Sequence, residues 1–194
     1  MSTLSGTKIK DTYSGLLKTT DNAALSGTFK AITDGAGNNS GLELNTTYAR
    51  ATNGMLFGAD TAAANVLDDY EKGTWTPVFS SNGGGESISF YANSGNYVKI
   101  GNMVSLGCII GVSSVSGGSG DLKLGGIPFA AANSSFSGSF SANNFAVGFK
   151  NPSFRAGTSF GFLGSDNNGG VWSWALFNSI TAGTEVLISI TYSV

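Results

Sequence analysis

The C-terminal stretch Thr184-Glu-Val-Leu-Ile-Ser-Ile-Thr-Tyr-Ser-Val194 carries the clearest structural pattern in the chain. Large apolar side chains occupy every second position and therefore share one face of an extended strand: Val186, Ile188, Ile190, Tyr192 and Val194. Hydroxyl side chains lie between them, at Ser189, Thr191 and Ser193. The alternation predicts a β-strand with one face on a core and the other face exposed to solvent.

The chain upstream of this strand repeats short strand signals, separated by clusters of Gly, Asn and Ser. The predicted strands span residues 75–80, 86–91, 96–100, 103–112, 121–124, 135–141, 144–150, 159–163 and 171–177. Short strands at this spacing, joined by tight turns, predict an antiparallel β-sandwich or barrel.

The first part of the chain, residues 1–72, also predicts short extended pieces, but with few large apolar side chains. The pieces span residues 7–10, 27–33, 41–48 and 53–57. A segment with so small a core is not stable alone, so either the second part or a partner chain covers its apolar faces. We favour the partner chain. Residues 62–70 then predict one or two helical turns, with Asp60 or Thr61 as the N-cap.

The composition excludes several classes of function. Only 11% of the 194 residues are charged and the formal net charge is −2, whereas nucleic-acid binding needs clustered Lys and Arg. The chain has no histidine, and its one cysteine, Cys108, cannot form an internal disulfide or a thiolate metal cluster. Because the most frequent general base and the most frequent metal ligand are both missing, we expect no enzyme activity, no cofactor and no metal site.

Three motifs have ordinary structural interpretations. Gly157-Thr-Ser-Phe-Gly161 matches the nucleophile elbow of hydrolases in letters, but no histidine is present to accept the serine proton. Asp34-Gly-Ala-Gly-Asn38 and Asp166-Asn-Asn-Gly-Gly170 could offer oxygen ligands to calcium, yet both lack the glutamate that completes an EF-hand loop and both are typical of tight turns. A glycosidase needs two neighbouring carboxyl groups, and those of residues 73–194 are scattered in the sequence, so hydrolysis is a minor alternative.

Aromatic residues are concentrated in the second part of the chain, where charges are few. On the predicted strand 171–177, Trp172 and Trp174 share one face, and Asn167 and Asn168 lie shortly before it. Aromatic rings stack on the apolar faces of sugars, and asparagine amides hydrogen-bond to sugar hydroxyls. These four residues are the candidate site for a neutral glycan; the alternative is that the tryptophans fill the core.

Three stretches, in this order, resemble bacteriophage tail-fibre and receptor-binding proteins. They are Leu67-Asp-Asp-Tyr-Glu-Lys-Gly-Thr-Trp-Thr-Pro-Val-Phe79, Gly95-Asn-Tyr-Val-Lys-Ile-Gly-Asn-Met-Val104 and Gly120-Asp-Leu-Lys-Leu-Gly-Gly-Ile-Pro-Phe129. The resemblance implies a homotrimer whose N-terminal part attaches to the virion and whose C-terminal head is exposed to the host. It also implies contacts with other virion proteins, in the baseplate or the capsid, through the N-terminal segment.

The residue patterns and this resemblance together predict an all-β homotrimer. Residues 1–59 form a short-stranded trimeric shaft or attachment segment, residues 60–73 a short helical or extended linker, and residues 74–194 an antiparallel, jelly-roll-like β-sandwich head. We expect a structural virion protein, a tail fibre that attaches the particle to the host surface by binding a surface glycan. The alternative is a virion protein without receptor binding: a baseplate connector, head fibre or capsid decoration.

The expected location of the protein is the virion, in a tail or baseplate fibre. No apolar stretch reaches the length of a membrane span, and the start of the chain shows no secretion signal. We therefore expect synthesis in the host cytoplasm, no membrane insertion and no nucleic-acid partner.

Overall fold

The structure is a computed structural model that describes residues 15–132, 136–145, 152–156, 161–165 and 173–194. The chain divides into two compact units, Met1–Asp68 and Asp69–Val194. The described secondary structure is almost entirely antiparallel strand, with only two single-turn 3-10 helices, so the all-β fold class is confirmed. The predicted strand 7–10 and most of the predicted strand 144–150 lie outside the described residues.

The first unit contains a four-stranded antiparallel sheet whose strands follow chain order. They are β1 (Lys18–Thr19), β2 (Lys30–Thr33), β3 (Asn39–Leu44) and β4 (Ala49–Ala51). The turn between β2 and β3 is closed by Asp34, whose Oδ1 accepts from the Asn38 backbone N–H at 2.8 Å and whose Oδ2 accepts from the Asn38 amide at 2.8 Å. The aspartate here therefore stabilises a turn, in agreement with the ordinary interpretation of this motif.

Two predictions for the first unit need correction. The predicted strand 41–48 ends at Leu44, because Asn45 begins a turn in which its Oδ1 accepts from the Tyr48 backbone N–H at 2.6 Å. The predicted strand 53–57 is reduced to an isolated bridge between Met55 and Leu67. Turn formation by asparagine competes with strand extension at these positions.

The predicted helical segment 62–70 is also much shorter than expected. A 3-10 helix spans only Ala63–Asn65, and Ala62 takes the N-cap position without a side-chain hydrogen bond. Asp60 lies before the helix, and its Oδ1 accepts a hydrogen bond from the Ala62 backbone N–H at 2.9 Å. The helix ends because Val66 is already extended and Leu67 pairs with Met55.

The described residues of the second unit form ten strands of one antiparallel sheet, nine of them in a continuous path. They are β5 (Tyr70–Trp75), β6 (Val78–Ser81), β7 (Ser87–Ile100), β8 (Met103–Ser116), β9 (Leu122–Gly125), β10 (Phe136–Asn143), β11 (Pro152–Ala156), β12 (Gly161–Ser165), β13 (Ser173–Trp174) and β14 (Glu185–Ser193). The order is β5-β7-β8-β14-β10-β11-β12-β9-β6, and β13 pairs with β12. A 3-10 helix, Phe177–Ser179, precedes β14.

Strand β10 joins the two halves of this path. Its residues Phe136–Gly138 pair with β11, whereas Ser139–Asn143 pair with β14. Both halves contribute to one buried core, formed by β8 and β14 on one side and by β6 and β9 on the other. Buried positions include Val104, Leu106 and Ile110 of β8, Val186, Ile188, Ile190 and Tyr192 of β14, Leu122 and Leu124 of β9, and Phe79 of β6.

The predicted alternation of buried and exposed side chains near the C-terminus is confirmed in β14. Val186 and Ile190 are 0% and 2% exposed, while Leu187 on the opposite face is 48% exposed. One prediction for the second unit was wrong. Residues 86–91 and 96–100 were expected to form two strands, but Ser87–Ile100 form the single strand β7. Gly95 lies inside that strand, directly opposite Trp75 of β5, where the absence of a side chain leaves room for the indole.

Candidate functional site

The four residues predicted to bind a glycan are only partly covered by the structure. Asn167, Asn168 and Trp172 lie outside the described residues. Trp174 lies on the two-residue strand β13, opposite Gly164 of β12, and is half-buried. Whether these four residues form one site therefore stays a prediction.

The exposed side of the sheet offers a second surface, which we call the outer face. It consists of the side chains of β5, β7, β8, β10 and β14 that point away from the core. Residues paired directly across neighbouring strands share a face, so the register assigns them in rows. One row near the middle contains Asn96, Gly107, Ser189 and Ser139. In the next row the Thr191 hydroxyl donates to the Ser105 hydroxyl at 3.2 Å.

These two rows are therefore neutral and rich in hydroxyl and amide groups, whereas the row on their other side contains Ile109 and the exposed Leu187. Small side chains leave the surface open, and Gly107 carries none at all. Such groups can both donate and accept hydrogen bonds. This chemistry suits polyhydroxylated ligands better than charged ones.

One end of the outer face is apolar. Tyr70 pairs with Ile100, and Ile100 pairs with Met103, so the three side chains stand side by side on β5, β7 and β8. They are 63%, 50% and 57% exposed, and Val98 in the next row is 37% exposed. We call Tyr70, Val98, Ile100 and Met103 the apolar band. Exposed apolar residues that adjoin in this way mark interaction surfaces more often than isolated ones.

The opposite end of the outer face carries an aromatic ring that sequence reasoning missed. Tyr91 belongs to β7 but has no direct partner on β8, because Phe90 pairs with Val112 and Ala92 pairs with Gly111. This bulge turns the ring of Tyr91 across Gly111. The Tyr91 hydroxyl donates to Oε2 of Glu185 at 3.4 Å. The consecutive aromatic residues Phe90 and Tyr91, which break strand alternation, were the available signal.

The first unit buries very little of its apolar surface. Thr33 is the only buried residue in the described range 15–68. Eight of its large apolar side chains are instead exposed: Leu16, Leu17, Leu25, Leu42, Tyr48, Met55, Leu56 and Phe57. A four-stranded sheet without a buried apolar cluster lacks the main source of folding free energy.

Three carboxylates of the second unit, Glu86, Asp69 and Glu71, form hydrogen bonds or ion pairs within the fold. Ser81 donates to Glu86 from its backbone N–H at 3.1 Å and from its hydroxyl at 2.7 Å, and these hydrogen bonds lower the pKa of Glu86. A general acid for glycoside hydrolysis needs the opposite shift. Lys99 forms an ion pair with Asp69, and the Tyr97 hydroxyl donates to Glu71 at 2.6 Å.

No group of three or more Asp, Glu, Cys or His side chains gathers within the described ranges. None of the helices in those ranges has the length and apolar character of a membrane span.

Comparison with known proteins gives little further information. No family model matches the chain, and no curated protein sequence matches it. Among solved structures, the chain is similar to the crystal structure of the Dettilon tailspike protein, with 18% sequence identity and a TM-score of 0.48. The similarity covers 64% of this chain and 24% of that chain, so the matched part spans about a quarter of the tailspike protein.

Proposed function

We propose that this protein is a bacteriophage fibre that assembles as a homotrimer and attaches the virion to a glycan on the host surface. The observation that carries the proposal is the uncovered apolar surface in both units. The first unit exposes eight large apolar side chains and buries only Thr33 among its described residues. The second unit adds the apolar band.

The first step of the proposal is that these surfaces need a partner. A small sheet that leaves its apolar side chains in water cannot offset the conformational entropy lost on folding. Stable interfaces bury about 800 Å² on each partner, more than the four side chains of the apolar band supply alone. We therefore expect both units to contribute to the interface.

The second step is that the partner is another copy of the chain. Only 11% of the residues are charged and the formal net charge is −2, so copies repel each other weakly. The resemblance of residues 67–79, 95–104 and 120–129 to tail-fibre proteins supports three copies. Three equal sites also raise avidity by about 10²–10⁴ over one site, so weak binding of a single sugar suffices for attachment.

The third step concerns the ligand. Two central rows of the outer face are neutral and rich in hydroxyl groups, and the predicted site around Trp174 would add aromatic surface. A neutral glycan fits both surfaces better than an anionic ligand. The hydrogen bonds from Ser81 lower the pKa of Glu86, whereas a general acid for glycoside hydrolysis needs a raised one, so we propose binding without cleavage.

The oligomeric state tests the assembly step. Native mass spectrometry of the full-length protein should give a particle of three times the 19.8 kDa chain mass. Adsorption of the labelled protein to a panel of bacterial strains should identify at least one strain that it binds. A well-folded monomer would contradict the proposal, as would a trimer that binds none of the hosts its phage infects.

The second candidate is a virion protein without receptor binding, such as a baseplate connector, head fibre or capsid decoration. The apolar band favours it, because such a surface also suits a permanent contact with a different virion protein. Deleting the gene separates the two functions. Intact particles that no longer adsorb support the fibre, whereas particles that fail to assemble support the structural role.

A further inference from the structure

We propose that Tyr91, Glu185 and Asn143 form a subsite that binds one neutral pyranose ring, at the end of the outer face away from the apolar band. The inference rests on the proposed attachment function and assigns its glycan to a specific place. It differs from the site predicted around Trp172 and Trp174.

The position of the Tyr91 ring is the first argument. The bulge in β7 leaves Tyr91 without a cross-strand partner, and its ring extends over Gly111 of β8. A Cβ atom at Gly111 would overlap Cε2 and Cζ of the ring, so the ring lies directly on the backbone of the sheet. One side of the ring is covered in this way, yet the residue is still 55% exposed.

A ring held in this manner presents a flat apolar surface to solvent. The face of an aromatic ring is electron-rich, and the axial C–H groups of a pyranose are weakly positive. Tyrosine provides such a contact at low entropic cost, since it has few rotatable bonds and Tyr91 is already supported by the sheet. The arrangement is therefore preorganised for stacking.

The polar neighbours are the second argument. The Tyr91 hydroxyl donates to Oε2 of Glu185 at 3.4 Å, which is long for a hydrogen bond and leaves the carboxylate able to accept others. Asn143 of β10 pairs directly with Glu185 of β14, so its exposed amide stands beside the carboxylate on the same face. A carboxylate that accepts and an amide that donates and accepts can together bind two adjacent sugar hydroxyls.

The charge of the subsite defines the ligand class. Among the side chains that the structure describes, no lysine or arginine forms an ion pair with Glu185. The negative charge of Glu185 repels uronic and sialic acids, so we expect the ligand to be a neutral hexose. The burial of Tyr91 and the nearby Glu185 raise the pKa of Tyr91, which keeps its hydroxyl protonated at neutral pH.

Distance separates this subsite from the apolar band. Ala92 and Ile100 are eight residues apart on β7, or roughly 26 Å along the strand. Copies that meet through the apolar band therefore leave the Tyr91 ring free.

Binding of the full-length protein to immobilised oligosaccharides tests the inference. The array carries glycans that end in glucose, galactose, mannose or N-acetylglucosamine, together with sialylated glycans. We expect binding to at least one neutral glycan, a loss of at least tenfold in Tyr91→Ala, and retention within about threefold in Tyr91→Phe. Val78→Ala, which removes an exposed apolar side chain of β6 outside the subsite and the apolar band, should bind as the wild type does. Glu185→Gln should weaken binding of the neutral glycan.

The outcomes separate this inference from the proposed function. If Tyr91→Ala binds normally and Trp174→Ala does not, the subsite is wrong and the attachment function stands. If the wild type adsorbs to cells but binds no sugar, the subsite is also wrong, and the receptor is not a glycan. If the wild type binds neither cells nor sugars, both fail. An unchanged trimer mass and thermal midpoint of Tyr91→Ala excludes misfolding as the cause of lost binding.

Discussion

The environment of Cys108 determines the reactivity of the single cysteine in the sequence. Cys108 lies on the core face of β8, opposite Ile188 of β14. Burial raises the pKa of its thiol from 9.0 to about 12. A thiol in this state is inert at neutral pH.

Alkaline pH should therefore destabilise the protein. Burial also raises the pKa of Tyr192 from 10.0 to about 12. A group whose pKa is higher in the folded state favours folding below its unfolded pKa, and this contribution is lost as the pH rises towards the folded value. We expect the free energy of unfolding to fall between about pH 9 and pH 12, measured by urea denaturation at each pH.

The variant Cys108→Ser isolates the contribution of Cys108 to the pH dependence of the free energy of unfolding. It should make the decline shallower between about pH 9 and pH 10, before Tyr192 titrates. If the wild type and the variant decline in parallel, Cys108 does not titrate with a raised pKa in the folded protein.

Single side chains also explain why the candidate site was only partly predictable. Aromatic content pointed to Trp172 and Trp174, because tryptophans near asparagines are a pattern that the sequence displays directly. The position of Tyr91 depends on a bulge and on pairing with β8, which lies about twenty residues further along the chain. Such a placement follows from register, and a sequence does not display register.

At the scale of elements, β7 shows why the strand boundaries were harder to predict than the strands themselves. The segment Ala92-Asn-Ser-Gly95 has the composition of a turn, which led to two strands in place of one. In the structure Gly95 serves packing, since it lies opposite Trp75 and a Cβ atom there would overlap the indole ring. A glycine within a strand often marks such a close approach.

This explanation predicts that Gly95→Ala is strongly destabilising. The added methyl group forces Trp75 out of its position in the core, and overpacking of this kind costs about 1–3 kcal/mol. Gly107→Ala is the matched control, because Gly107 lies on the outer face of β8, where the nearest atoms to a Cβ are 3.6 Å and 3.7 Å away. Urea midpoints compare the two variants. Equal stabilities would show that the Trp75 contact does not require Gly95.

At the scale of the whole molecule, the two units differ in how many apolar side chains each of them buries. The second unit buries a core that joins both halves of its sheet path, and its repeated strand signals were sufficient to predict this class of fold. The first unit has one buried residue in its described range, and the sequence already indicated the shortage through its few large apolar side chains. The sequence was enough to predict that the first unit needs a partner, whereas the position of the apolar band follows only from the register of β5, β7 and β8.

The apolar band is where we expect copies of the second unit to meet, and cysteine labelling can test this in the assembled protein. Ile100→Cys places a thiol in the band, and Ser89→Cys places one on the same strand at an exposed polar position. Both variants also carry Cys108→Ser, so that the native thiol, which unfolding in urea would expose, does not contribute to labelling. In the native trimer, maleimide should label Ile100→Cys at least ten times more slowly than Ser89→Cys, and urea should abolish the difference. Equal rates in a confirmed trimer would place the interface elsewhere, and the apolar band would then be available to a different virion protein.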